Sequence, residues 1–91
     1  MHDVTLQFSA DGGRLLLRLA VGTPISAVRV QLFDRDELVR AWITDVAPTQ
    51  PLVDRVSVPP GCTLGDLRLV AVAAGTEIAT AGLHTQVEVA A

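Results

Sequence analysis

Ninety-one residues with ten carboxylates against seven basic side chains, a formal charge of −3, leave room for one core and no electrostatic footprint for nucleic acid. The basic residues are all arginine, and the absence of Lys, Tyr and Asn excludes lysine Schiff-base and tyrosine acid/base chemistry. Apolar residues reach 49% while aromatics are only 3%, so Leu, Val, Ile and Ala must build the core, and a surplus of small apolar side chains points to surface covered by a partner or a second copy.

At the start of the chain, Met1-His2-Asp3-Val4 lacks a signal peptide's basic and apolar regions, and no apolar run approaches the roughly 18 residues that span a membrane. A cytoplasmic protein with no membrane partner is expected. Val4, Leu6 and Phe8 alternate with Thr5, Gln7 and Ser9, the two-residue period of a half-buried strand, which ends at Asp11-Gly12-Gly13. The second strand sets Leu15, Leu17, Leu19 and Val21 on one face and Arg14, Leu16, Arg18 and Ala20 on the other, until Gly22-Thr23-Pro24. The third turns Val28, Val30 and Leu32 inward and Arg29, Gln31 and Phe33 outward.

Two readings meet at Asp34-Arg35-Asp36-Glu37. Asp34 with Glu37 three positions on resembles a helix capping box ahead of Leu38, Ala41 and Trp42. A hairpin tip fits better, because the runs on either side have matching length and both alternate. The fourth strand then places Val39, Ala41 and Ile43 inward and Leu38, Arg40, Trp42 and Thr44 outward. Pro48 and Pro51 bracket a loop, Val56 and Val58 form a short fifth strand, and Pro59-Pro60-Gly61 closes it because proline cannot donate to a ladder. Leu67, Leu69, Ala71 and Ala73 give one face of the sixth strand and Gly75 a turn. Ala79, Ala81, Leu83, Val87 and Val89 line the inner face of the seventh, with a bulge at Gly82.

Turn signals at intervals of about 8 to 12 residues predict an all-β fold, a seven-stranded antiparallel sandwich filling one domain over residues 1–91. The strand count and the segment from Val58-Pro59-Pro60-Gly61 to Leu69 resemble the immunoglobulin and fibronectin type III superfold. There, Leu64 or Leu67 would stand where an aromatic plugs the corner. Paired cysteines and a corner tyrosine are absent, and fold kinship does not transfer function.

Few residues carry chemistry. Cys62 and His84 are the one pair from which a thiol nucleophile and its base could be assembled, but no helix N-terminus or oxyanion loop accompanies them. The reading preferred here makes Cys62 a small buried hydrophobe and His84 a solvated strand residue; one cysteine allows no internal disulfide. Asp34, Asp36 and Glu37 lack the spacing and glycine of a calcium loop and read as a solvated tip. No cofactor and no enzyme activity are expected.

Alternation assigns Arg29, Gln31, Phe33, Leu38, Arg40, Trp42, Arg68, Val70, Val72 and His84 to one outward sheet face. Arginine and aromatics beside exposed aliphatics compose an interface core, although one slip of register would exchange both faces. The sequence therefore predicts a non-catalytic interaction or assembly module, acting by this face or by an edge strand, as a homo-oligomer or as part of a larger protein assembly. A sugar or small-ligand module using Trp42 as a stacking platform is the alternative.

Overall fold

The computed structural model describes residues 4–11, 13–58, 60–61 and 63–82. Seven strands account for most of them: β1 Val4–Asp11, β2 Arg14–Val21, β3 Ile25–Asp34, β4 Glu37–Val46, β5 Leu52–Ser57, β6 Leu67–Ala73 and β7 Thr76–Gly82. A single 3-10 turn, Leu64–Asp66, precedes β6. Among the described residues no helix is long and apolar enough to cross a membrane.

Antiparallel pairing produces two sheets, a three-stranded one in the order β1-β2-β5 and a four-stranded one in the order β4-β3-β6-β7. Three tight hairpins keep chain neighbours together, and each has its own backbone device. Gly13, φ 82, serves the β1–β2 turn; Arg35, φ 59, stands in the β3–β4 turn; Ala74 and Gly75, φ 52 and 77, form the β6–β7 turn. Positive φ at both central residues of a two-residue hairpin matches the right-handed twist of the strands it joins. The three remaining connections, β2 to β3, β4 to β5 and β5 to β6, cross between the sheets and carry Pro24, Pro48 and Pro60, which the missing N–H confines to connections.

The core lies between the sheets, as strand alternation predicts. Leu15, Leu17 and Leu19 of β2 meet Val28, Val30 and Leu32 of β3 and Leu67, Leu69 and Ala71 of β6, all buried. Phe8 is the aromatic of this core cluster, and no polar or charged side chain is fully buried among the described residues. The hairpin at Arg35–Asp36 resolves the helix alternative in favour of strands, with Asp34 opposite Glu37. A second contact fixes that tip: the Arg35 N–H donates to the Asp66 carbonyl at 3.0 Å, and its guanidinium lies 3.3 Å from the Asp66 carboxylate.

Three strand assignments need correction. β5 begins at Leu52 and ends at Ser57, so Val58 lies just past it while still packing on the core. The bulge expected at Gly82 falls at Ile78 instead, between the pairs Ala71–Ala79 and Val72–Glu77, and Gly82 continues the ladder opposite Arg68. The third correction, on β4, changes the candidate surface.

Candidate interaction surfaces

Leu32 pairs with Arg40 and Phe33 with Leu38, so Val39 is an extra residue with no partner of its own on β3. Such a bulge reverses the alternation beyond it. Leu38 stays on the outer face with Phe33, but Arg40, Trp42 and Thr44 share the inner face with Leu32, Val30 and Val28, and Val46 ends the run buried. Ala41 and Ile43, expected inward with Val39, stand outside opposite Gln31 and Arg29. The single outward face drawn from alternation is therefore two surfaces.

On the inner side, at the rim where β4 faces β5, Trp42 is half-buried and packs against the core. Its Nε1–H donates to Oδ2 of Asp54 at 2.7 Å, joining the two sheets side chain to side chain. The other carboxylate oxygen of Asp54 accepts the Arg55 backbone N–H at 2.8 Å, and the Arg40 guanidinium carbon lies 5.4 Å from the indole centroid. The ring is thus engaged by the core, a carboxylate and a cation. That geometry fits a clasp between sheets better than a platform awaiting a sugar.

The outer face of the four-stranded sheet keeps Arg29, Phe33, Leu38, Arg68, Val70 and Val72 and gains Ala41 and Ile43. Arg68 lies over the Phe33 ring at 5.5 Å, covering part of an aromatic that would otherwise meet water. Val70, in the middle of this face, is only 8% exposed although it is no member of the core cluster. Around it, Leu38 is 49% and Ile43 65% exposed, while Phe33 and Val72 are half-buried. Alternation found six of these residues and missed Ile43, which the bulge moved out of the expected core.

The outer face of the three-stranded sheet differs. β1 gives it Thr5, Gln7 and Ser9, β2 Arg14, Leu16 and Arg18, and β5 Val53, Arg55 and Ser57. Polar side chains and arginine dominate there.

His2, Cys62 and His84 lie outside the described residues. Among the described residues no group of three His, Cys, Asp or Glu side chains is placed to hold a metal ion. Asp36 and Glu37 stand exposed at the hairpin tip. Compared with known protein families, residues 2–80 match the model of the family described as YphG-like protein, second domain. No curated protein and no solved structure matches.

Proposed function

The chain belongs to the family of YphG-like second domains, and from that premise we propose that it is a non-catalytic assembly domain whose four-stranded sheet packs its outer face against another folded body. Exposure of Leu38 and Ile43 beside Phe33 and Val72 on one continuous sheet face is the observation that carries this reading. Two exposed large aliphatics on β4 beside half-buried Phe33 on β3 and Val72 on β6, with Arg29 and Arg68 among them, have the composition of an interface core. The family description names a domain that comes second along a polypeptide. A neighbouring domain of the same protein is accordingly the body proposed.

Face packing is favoured over strand addition. β4 is an edge of its sheet, but the bulge at Val39 interrupts the regular row of backbone groups that an added strand would need. The fold itself is proposed to be fibronectin type III-like. The strand order β1-β2-β5 against β4-β3-β6-β7 supports this, because it corresponds to A-B-E against C′-C-F-G in the immunoglobulin-like lettering.

Thiol labelling tests the assembly reading. In a Cys62→Ser background, Ile43→Cys should react with a maleimide at the rate of an open thiol in the isolated chain, and at least about tenfold more slowly where adjacent domains are present. That labelling is done on dilute, monomeric chain; at higher concentration the isolated domain should self-associate through the same face. Light scattering over a concentration series should then show Ile43→Glu shifting it toward monomer. Equal labelling in both contexts, with a monomer at every concentration, would remove the proposal.

A further inference from the structure

The three-stranded sheet carries a second surface of opposite chemistry, independent of the face assigned to assembly. Arg14 and Arg18 on β2 and Arg55 on β5 are all exposed on its outer side. Arg55 stands opposite Leu16, so it is the diagonal neighbour of both other arginines, about 7 to 8 Å away across the ladder. Arg14 and Arg18 are separated by about 13 Å along their strand. Half-buried Leu16 and Val53, 54% exposed, fill the space among them.

These cations have no partners within the described chain. Arg35 is committed to Asp66, Arg40 to Trp42 and Arg68 to Phe33, whereas Arg14, Arg18 and Arg55 form no ion pair or ring contact among the described residues. In a protein whose formal charge is −3, three arginines on one sheet face with no ion pair among the described residues are a local reversal of sign.

We propose that this face binds an extended, carboxylate-rich segment of a partner protein, with alternate acidic side chains meeting Arg14, Arg55 and Arg18 in turn. Side chains on one face of an extended chain recur about every 7 Å, and two such steps cover about 13 to 14 Å, which matches the zigzag of guanidiniums. Arginine suits carboxylates because its planar fork donates two parallel hydrogen bonds. The aliphatic floor of Leu16 and Val53 favours protein over nucleic acid. No aromatic lies on this face for bases to stack on, and the acidic remainder of the molecule repels a long polyanion.

The test is titration of the arginine-labelled chain with a capped Ser-Glu-Val-Glu-Val-Glu-Ser peptide at about 20 mM salt, followed by the Nε–H resonances. Those of Arg14, Arg18 and Arg55 should shift together while those of Arg29 and Arg35 stay in place. Arg55→Glu should weaken binding about tenfold or more, and about 200 mM salt should weaken it further. The same variant should leave labelling at Ile43→Cys unchanged, which separates failure here from failure of the assembly face. Unmoved signals, or equal shifts of all arginines, would overturn the proposal. So would an oligonucleotide of equal charge binding as tightly as the peptide, or concentration-dependent shifts without peptide, which would assign the site to the acidic hairpin of a second copy.

Discussion

Cutting the bond between Trp42 and Asp54 should loosen the sandwich at its β4–β5 rim. A hydrogen bond to a charged group contributes about 1.5 to 3 kcal/mol when shielded from water. Both partners are only half-buried, so water can replace part of the bond, and about 1 to 1.5 kcal/mol is expected at 2.7 Å. Asp54→Ala also strips the Arg55 N–H of its acceptor, adding up to about 0.5 kcal/mol at an exposed site. Domains of this size hold about 5 to 10 kcal/mol in all, and 1 kcal/mol moves their Tm by about 4 to 8 °C, so a total cost of about 1 to 2 kcal/mol for Asp54→Ala should lower Tm by about 4 to 16 °C. Urea unfolding followed by circular dichroism, on Asp54→Ala, Trp42→Phe and the double variant, isolates the pair from the packing lost with the indole. A coupling energy near 1 kcal/mol is the expected result. Coupling below about 0.3 kcal/mol, or an Asp54→Ala chain as stable as the parent, would show that the carboxylate is merely tolerated at the rim and the clasp does no holding.

Three further perturbations have their size set by local geometry. At the β6–β7 turn, Ala74→Asn should stabilise by about 0.5 to 1 kcal/mol, because asparagine accepts the positive φ that alanine holds under strain; Gly75→Ala should cost about 1 kcal/mol from φ alone, since nothing lies within 4 Å of the added methyl; both are read by thermal melts. Asp45→Ala removes the acceptor of the Ala27 N–H, where the β3–β4 register shifts between Ile25 and Val28 and Ala27 has φ 53, and should cost about 0.5 to 1 kcal/mol in a urea titration. Leu17→Ala empties a site with no solvent exposure at the centre of β2 and should cost about 2 to 5 kcal/mol, enough to populate the unfolded state in a 37 °C proteolysis assay.

Strand count, core and turns were legible because β1, β2, β3 and β6 each bury one face, and a two-residue period over four or more positions permits only one choice of face. β4 was not legible for a physical reason. It begins with adjacent Leu38 and Val39, so apolar residues occur at both parities, and the bulge that decides between them depends on pairing with β3 rather than on any residue within β4. Val46 was the available signal: counting back from it by twos reaches Thr44 and Trp42, the residues found inside. The arginine surface was legible as alternation on β2, but its third member arrives through the Leu16–Arg55 register, which no local pattern reveals.

The unequal sheets explain why β4 departs from ordinary amphipathic logic. Three strands cannot cover four, and on this side β4 overhangs, so its inner positions need side chains that tolerate both core and water: Trp42 with its bonded Nε1–H, Thr44, and Arg40 reaching over the indole. Asp54 answers from β5 with an inward-pointing charge, a device that also discourages another chain from adding to that edge. The outer side of β4 has no comparable reason to be apolar. Nothing in the overhang requires Leu38 and Ile43 to face solvent, and moving Ile43 from water to an apolar contact would recover roughly 1.5 to 2 kcal/mol of burial that the isolated fold leaves unused. A strand that is polar toward its own core and apolar toward the outside is better matched to a body beyond the sheet, which is why Ile43, and no residue of the interior, is the position at which the assembly reading is tested.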